Sequence, residues 1–297
     1  MSVFCVVLYR LSAALRRLQT GRHRVHGSIP AGSEQQTANN KQLEELNSNG
    51  IEFKFIKTDK SLSGLVESFW MLHNPDGADR QVVILPDGRV DLFFTQLPAA
   101  TFHCTLLGIG TNPEQSVIKA GRTTFAISFK PLGAEYILRQ NISSLLNSGM
   151  NLPDSFWNFS PPDLLDFELC CQKAARQIRS LLPSEIDSRK QQLFELAHGS
   201  DGAMSVAELS EKVSWNSRQI NRYFNRQFGL SLKAYCRILR FRASFEHIKE
   251  GNLFPEQNFA DQAHFIKEVK KLAGVNPKQL AKNQNDRFIQ FSALPKK

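Results

Sequence analysis

The sequence predicts an α+β protein: a β-rich N-terminal part, a connecting helix and an all-α C-terminal part. Three observations predict it. Between Phe53 and Phe129, short apolar runs alternate with Pro/Gly turns. From Ile186 onward, apolar residues recur at spacings of three and four, with no strand signal. The charge also changes along the chain. Residues 191–297 carry 17 Lys and Arg against 10 Asp and Glu, whereas the first 190 carry 20 against 18, so +7 of the net +9 belongs to the helical end. A basic block on a near-neutral larger part points to a polyanion as its partner. A length of 297 residues accommodates two domains. No run approaches the ~18–20 apolar residues of a membrane span, so no membrane partner is expected.

The strand-like runs are Phe53–Ile56, Glu67–Leu72, Gln81–Leu85, Val90–Phe94, Thr105–Ile109 and Thr124–Phe129. Turns punctuate them at Pro75-Asp76-Gly77, Pro86-Asp87-Gly88 and Pro131-Leu132-Gly133. That spacing predicts a mainly antiparallel sheet or small barrel. The Pro86–Arg89 run reads either as a hairpin turn or as a loop facing an anion or ligand. Beyond Gly133 the period lengthens. Ala134–Leu138 and Ile142–Leu146 read as short helices, and residues 163–182 as a longer one closed by Pro183.

The first 50 residues begin apolar and then carry Arg10, Arg16, Arg17, Arg22 and Arg24, the reverse of a secretory signal. Residues 27–50 are rich in Ser, Gln and Asn. The stretch reads as a disordered extension, with a membrane-surface helix or an upstream start codon as the other readings. Five scattered cysteines fit neither a zinc site nor a disulfide framework and suit a reducing cytoplasm. The adjacent Cys170 and Cys171 read as packing residues of a helix.

The helical end carries the chemistry. Ser205 and Glu208 form a capping box at a helix start, with Val206, Leu209 and Val213 on its apolar face. Ser214-Trp215-Asn216 then makes a turn, and Asn216 is a fitting N-cap for a second helix over Ser217–Phe228, stopped by Gly229. Ile220, Tyr223, Phe224 and Phe228 share one face, and Arg218, Asn221, Arg222 and Asn225 the other. Two short helices joined by a tight turn are a helix-turn-helix candidate. Arg can donate two bonds to guanine and Asn can bond bidentately to adenine, so the polar face suits base edges. Lys212 and Arg226 suit phosphates, and Asn225 joins them at the edge of that face. Residues 231–250 read as a single helical segment ending at Gly251, about 30 Å long. A further helix follows Asp261, with Phe265, Val269 and Leu272 inward, ending at Gly274 and Pro277.

The runs S-V-A-E-L-S, S-R-Q-I-N-R-Y-F, F-G-L-S-L-K-A-Y and D-Q-A-H-F-I-K-E-V-K-K-L-A-G-V-N-P resemble the AraC/XylS DNA-binding region over about 95 residues. The resemblance implies two helix-turn-helix units, joined by a long helix, that bind successive major-groove segments. Base reading then falls to Arg218, Asn221 and Arg222 in the first unit and to Gln262, Ala263 and Lys267 in the second, with Lys270 placed for phosphate. Only Asn252–Asn258, with Pro255 inside it, stands where the family has a full helix. The second unit is therefore expected to be about one and a half turns short, and to serve phosphate contact and packing. E-S-F-W (67–70), L-P-D-G-R-V-D-L-F-F (85–94) and F-K-P-L-G-A (129–134) resemble an N-terminal domain of some AraC-type regulators. The expected organisation is an extension (1–50), a β-rich sensor-like or dimerisation domain (51–160), a connecting helix (161–185), an AraC-type DNA-binding domain (186–283) and a tail (284–297). The implied function is a sequence-specific, cytoplasmic transcription regulator acting on double-stranded DNA. RNA polymerase, a small-molecule effector and a second copy of the chain are the further partners.

The alternative is an enzyme or repair protein that uses the basic module only to hold DNA. The sequence offers it little. His73 and His103 are the front part's histidines, without metal-ligand spacing, so no metal or other cofactor is expected. No G-x-S-x-G or G-x-x-x-x-G-K-[ST] occurs. Cys104 neighbours His103 in a strand-like run, where adjacent side chains point to opposite faces. No enzyme is expected.

Overall fold

The computed structural model describes residues 43–48, 50–75, 77–252 and 259–292. The front is a seven-stranded antiparallel sheet in the order β1-β2-β3-β8-β5-β6-β9, with β4 and β7 paired as a separate ribbon. The strands are β1 (Glu44–Ser48), β2 (Ile51–Lys57), β3 (Val66–His73), β4 (Arg80–Ile84), β5 (Val90–Gln96), β6 (Phe102–Leu107), β7 (Glu114–Ile118), β8 (Thr123–Phe129) and β9 (Gly149–Leu152). The six expected strands are present, with ends displaced by up to three residues. Strands β1, β7 and β9 were not anticipated. Two of them are sheet edges and the third belongs to a two-stranded ribbon, so each pairs with a single neighbouring strand, where an alternating pattern is weakly enforced. Strand β1 lies in the segment read as an extension, and residues 1–42 of that reading lie outside the described residues.

Strand alternation sorts the sheet into two faces. On one, Phe69, Phe94, Phe125 and Phe129 are fully buried, and Phe94 stacks on Phe159 with ring centroids 4.0 Å apart. Cys104 points into this core while His103 pairs across from Thr95 on the other face, so the two form no couple. The second face carries a polar chain: Trp70 Nε1 donates to Ser128 Oγ at 3.0 Å, and Ser128 Oγ donates to Asp91 at 2.5 Å. Ile51, Leu72, Val82 and Ile118 form a small second core there.

The helices are α1 (Pro131–Tyr136), α2 (Phe167–Ser180), α3 (Ser188–Gly199), α4 (Val206–Lys212), α5 (Ser217–Phe228), α6 (Leu232–Ala243), α7 (Phe245–Lys249), α8 (Gln262–Ala273), α9 (Pro277–Lys282) and α10 (Ile289–Ser292). The connecting helix starts later than expected. Asp166 caps it by accepting from the N–H groups of Glu168 and Leu169, and Pro161–Leu165 before it is a 3-10 turn. Phe167, Cys170, Ala174 and Ile178 are its buried stripe. Burial, then Asp163, pushes the Cys170 thiol up to about 12. The short helix expected at Ile142–Leu146 is only a 3-10 turn, Ser143–Leu145. The single helix expected over 231–250 is divided at Ser244. Its Oγ donates to the Phe241 carbonyl at 2.6 Å, competing with the regular ladder, and Phe245 turns to pack on Phe241 and Phe291.

One apolar core runs from the first sheet face through α1 to the rear helices. The Pro86–Arg89 run is not a hairpin turn, one of its two expected readings. It joins strands of different sheets, and it packs against α6: Gly88 is left-handed (φ +79°), and a Cβ there would meet the Tyr235 ring at 3.2 Å. Beside it Arg89 pairs with Glu67 at 3.2 Å, and Arg242 of α6 grips the same Glu67 with both guanidinium nitrogens. Burial pushes Arg242 down to about 10. The segment read as a tail also returns to the front. Phe288 and Phe291 are buried, Phe288 bridges in parallel to Val83 of β4, and Gln290 exchanges two hydrogen bonds with the Leu85 backbone at 3.0 and 2.8 Å.

Two enclosed groups give opposing pH dependences. Burial, then Lys130, pushes His198 from 6.5 down to about 4, and burial, then Asp87, pushes Asp91 from 3.8 up to about 7. As pH falls from 6.5 towards 4, the unfolded chain takes up a proton that folded His198 refuses, so stability is lost. As pH rises from 3.8 towards 7, the unfolded chain releases a proton that folded Asp91 keeps, so stability is lost in that direction. The two contributions oppose each other in the wild type. His198→Gln should therefore gain stability relative to wild type as pH falls through this window, and Asp91→Asn should gain as pH rises. Urea unfolding at several pH values reads both, and parallel curves for variant and wild type would refute the assignment.

Candidate nucleic-acid interface

Helices α4 and α5 are built as their caps dictate. Ser205 and Glu208 close a reciprocal capping box on α4. Ser214 is left-handed (φ +48°), and Ser210 Oγ donates to the Trp215 carbonyl at 2.8 Å to fix the turn. Asn216 Oδ1 accepts from the Arg218 N–H at 2.8 Å and starts α5. The helix is twelve residues long, about 18 Å, and ends at left-handed Gly229. Ile220, Phe224 and Phe228 are fully buried, with Phe224 against Phe194 and Tyr235 and Phe228 against Phe194. Trp215 packs on Tyr223, with the Arg189 guanidinium 5.3 Å from its ring centroid.

That inward face sets the outward one. Arg218, Arg222, Asn225 and Arg226 are exposed, as is Lys212 at the end of α4, and none of these four cations makes an ion pair among the described residues. Asn221 is half-buried, and its Nδ2 donates to the Ser217 carbonyl at 3.1 Å, while Asn225 Nδ2 donates to the Asn221 carbonyl at 2.8 Å. Both amides are spent on their own helix and must rotate to meet a base. Arg218 and Arg222 are four residues apart and stand on one side of α5, where they can enter a groove together.

The front part holds the other end of α5. Asn141 Nδ2 donates to the Arg226 carbonyl at 2.8 Å, the Ile142 N–H donates to the Gln227 carbonyl at 3.0 Å, and Gln227 Nε2 donates to the Gln140 carbonyl at 2.7 Å. Carbonyls that a helix C-terminus leaves without an internal partner are thus capped by a distant segment. A Cβ on Gly229 would meet the Ser143 carbonyl oxygen at 2.6 Å, so this approach demands glycine. Midway along α5, the Tyr223 hydroxyl donates to Glu135 of α1, which also receives Lys190 of α3 at 2.5 Å. Burial, then Glu135, raises the Tyr223 pKa and keeps the phenol protonated.

Residues 54–151 match a family model described as a domain of unknown function (DUF6597). No curated protein matches the chain. Among solved structures, it is similar to ToxT from Vibrio cholerae O395 at 12 % identity, covering 69 % of this chain and 98 % of that one with a TM-score of 0.36. The same protein bound to (E)-4-(8-methylnaphthalen-1-yl)but-3-enoic acid gives 12 % identity, the same coverages and a TM-score of 0.40. Wild-type ToxT from Vibrio cholerae strain SCE256 with bound unsaturated fatty acid gives 10 % identity, coverages of 69 % and 94 %, and a TM-score of 0.37.

The second unit has one helix of the expected kind. Asp261 caps α8 by accepting from the His264 N–H at 2.7 Å, and Phe265, Val269 and Leu272 are buried. Gln262, Ala263, Lys267 and Lys270 are exposed on α8, together with Ile266. Glu268 on the inner side pairs with Arg237 of α6 at 3.3 Å, which ties α8 to the rear core. Residues 253–258, most of the run expected to replace a helix, lie outside the described residues. Sequence reasoning missed Glu135, Asn141 and Arg189 entirely. The partners that tie them to this interface are 26 to 88 residues away, and no local signal announces such contacts. Among the described residues no group of three or more His, Cys, Asp or Glu is placed to hold a metal ion, and no helix is long and apolar enough to cross a membrane.

Proposed function

We propose that this chain is a sequence-specific transcription regulator of the AraC type, docking α5 in the major groove of double-stranded DNA. One observation carries the reading: α5 holds Arg218 and Arg222 open to solvent with half-buried Asn221 beside them, while Phe224 and Phe228 fix its opposite side in the core. In this reading Lys212, Asn225 and Arg226 neutralise phosphates beside the groove. Gln262, Ala263, Lys267 and Lys270 on α8 approach a neighbouring segment of the duplex. Binding at a promoter then helps or blocks RNA polymerase. Residues 51–160 act as the sensing or dimerising domain, and residues 186–283 as the DNA-binding one. The grip of α1 and residues 141–143 on α5 offers a path by which an effector or a second copy of the chain could alter DNA affinity.

The test is selection of binding sites from random duplexes with the full chain, because front and rear share one core. A recovered consensus supports the reading, and weak salt-sensitive binding without one counts against it. Arg222→Ala should cost about 1–3 kcal/mol and relax preference at one base pair. Lys212→Ala should weaken binding evenly across sequences and lower the salt dependence. Site preference unchanged in Arg222→Ala would remove that residue from the reading face.

A further inference from the structure

We infer that the loop carrying Arg139, in the front part of the chain, is a further element of the DNA interface and supplies a phosphate contact beside the C-terminal end of α5. The inference rests on the proposed docking of α5 and extends it to a domain with no assigned role in DNA binding.

The geometry begins with lengths. An α-helix of twelve residues is about 18 Å long, and the major groove is about 12 Å wide. A helix lying across the groove therefore overhangs a phosphate backbone at its ends. Beyond Arg226 the chain turns inward at Gly229, so α5 itself offers nothing further. The loop at 139–141 stands there instead. Asn141 holds the Arg226 carbonyl, and its Oδ1 accepts from both the N–H (3.0 Å) and Oγ (2.6 Å) of Ser143, so its amide is locked in place. Arg139 is two residues before Asn141, at most about 7 Å of backbone away. It is exposed, left-handed (φ +53°), and makes no ion pair among the described residues.

Charge continuity agrees. Arg218, Arg222 and Arg226 recur every four residues along α5, and Arg139 adds a further exposed arginine two residues from Asn141, which holds the end of that helix. Glu135, the acidic residue of the adjoining α1, is already taken by Lys190 and Tyr223 and does not neutralise the row. Three hydrogen bonds fasten residues 140–142 to α5, so the loop travels with the helix and little ordering remains to oppose the contact.

The experiment uses the full chain, a duplex selected by the wild type, and fluorescence anisotropy across a salt series. The variants are Arg139→Asn, which tolerates a left-handed backbone, and Arg139→Lys, which keeps the charge. Arg176→Ala, an exposed arginine of α2, controls for loss of net charge. Arg139→Asn should reduce the slope of log affinity against log salt by about 0.9. Raising salt fourfold should then cost the wild type about 3.5-fold more affinity than it costs this variant. The consensus should not change, Arg139→Lys should restore the slope, and Arg176→Ala should not alter it. An Arg139→Asn slope equal to the wild-type slope, or a loss matched by Arg176→Ala, overturns the inference while leaving the α5 reading intact. A wild type that binds no duplex overturns both.

Discussion

Phe224→Ala should destabilise the protein by roughly 3–5 kcal/mol. The ring is fully buried and meets Phe194, Phe228 and Tyr235 at centroid separations of 5.4, 5.3 and 5.7 Å. Removing it loses the transfer of the ring from water and leaves a cavity bounded by other rings, which cannot close on it without leaving their own partners. The shift in urea midpoint at constant m-value measures the cost. A variant as stable as wild type would mean that the inward face of α5 has been misassigned, and the outward reading face with it. The more conservative Phe224→Leu should lose much less, which separates the cavity effect from a general intolerance of substitution.

The second large effect is expected at the junction between sheet and helices. Glu67→Gln should cost about 3 kcal/mol, the lower end of what breaking a buried ion pair costs, since the site is partly wet. Glu67 is 16 % exposed and accepts from two arginines, Arg89 on the β5 side and Arg242 on α6. Neutralising it leaves Arg242 with its charge enclosed and no carboxylate against it, whereas Arg89 retains Asp87 at 3.7 Å. The double variant Glu67→Met with Arg242→Met should be closer to wild type than the sum of its single losses, because no uncompensated charge remains. Additive losses would show that the pair does not couple the two halves.

Local features were legible in the sequence wherever a rule acts over a few residues. The capping box at Ser205, the cap at Asn216 and the stop at Gly229 fixed α4 and α5 almost to the residue. Central strands β3, β5 and β8 were legible because their core-facing side chains, among them Phe69, Leu92, Phe94, Phe125 and Phe129, are large, apolar and buried. Edge strands were not, since β9 reads Gly-Met-Asn-Leu and buries little. Ser244 was invisible as a break because serine is tolerated inside helices, and the interruption depends on its bond to the Phe241 carbonyl together with the packing of Phe245 on Phe291. The Pro86–Arg89 run carried the composition of a turn, and nothing local says that its partner is Tyr235, almost 150 positions later. For the candidate interface, the chemistry of the polar face of α5 was readable, but the segment that seals the end of that helix was not. Hydrogen bonds from Asn141 and Ile142 to α5 depend on the chain path, which periodicity does not encode.

The return of residues 287–290 to β4 has a consequence for how the chain is made. Strand β4 leaves the ribosome with β7 close behind it, yet its other neighbour is about 205 positions downstream. At roughly 5–20 residues per second, that is an interval on the order of 10–40 s. During it one side of the ribbon presents open N–H and C=O groups, the arrangement through which neighbouring nascent chains pair. The half of the molecule synthesised first is therefore the last to be closed, and the spacing of ribosomes on the message becomes a factor in its yield.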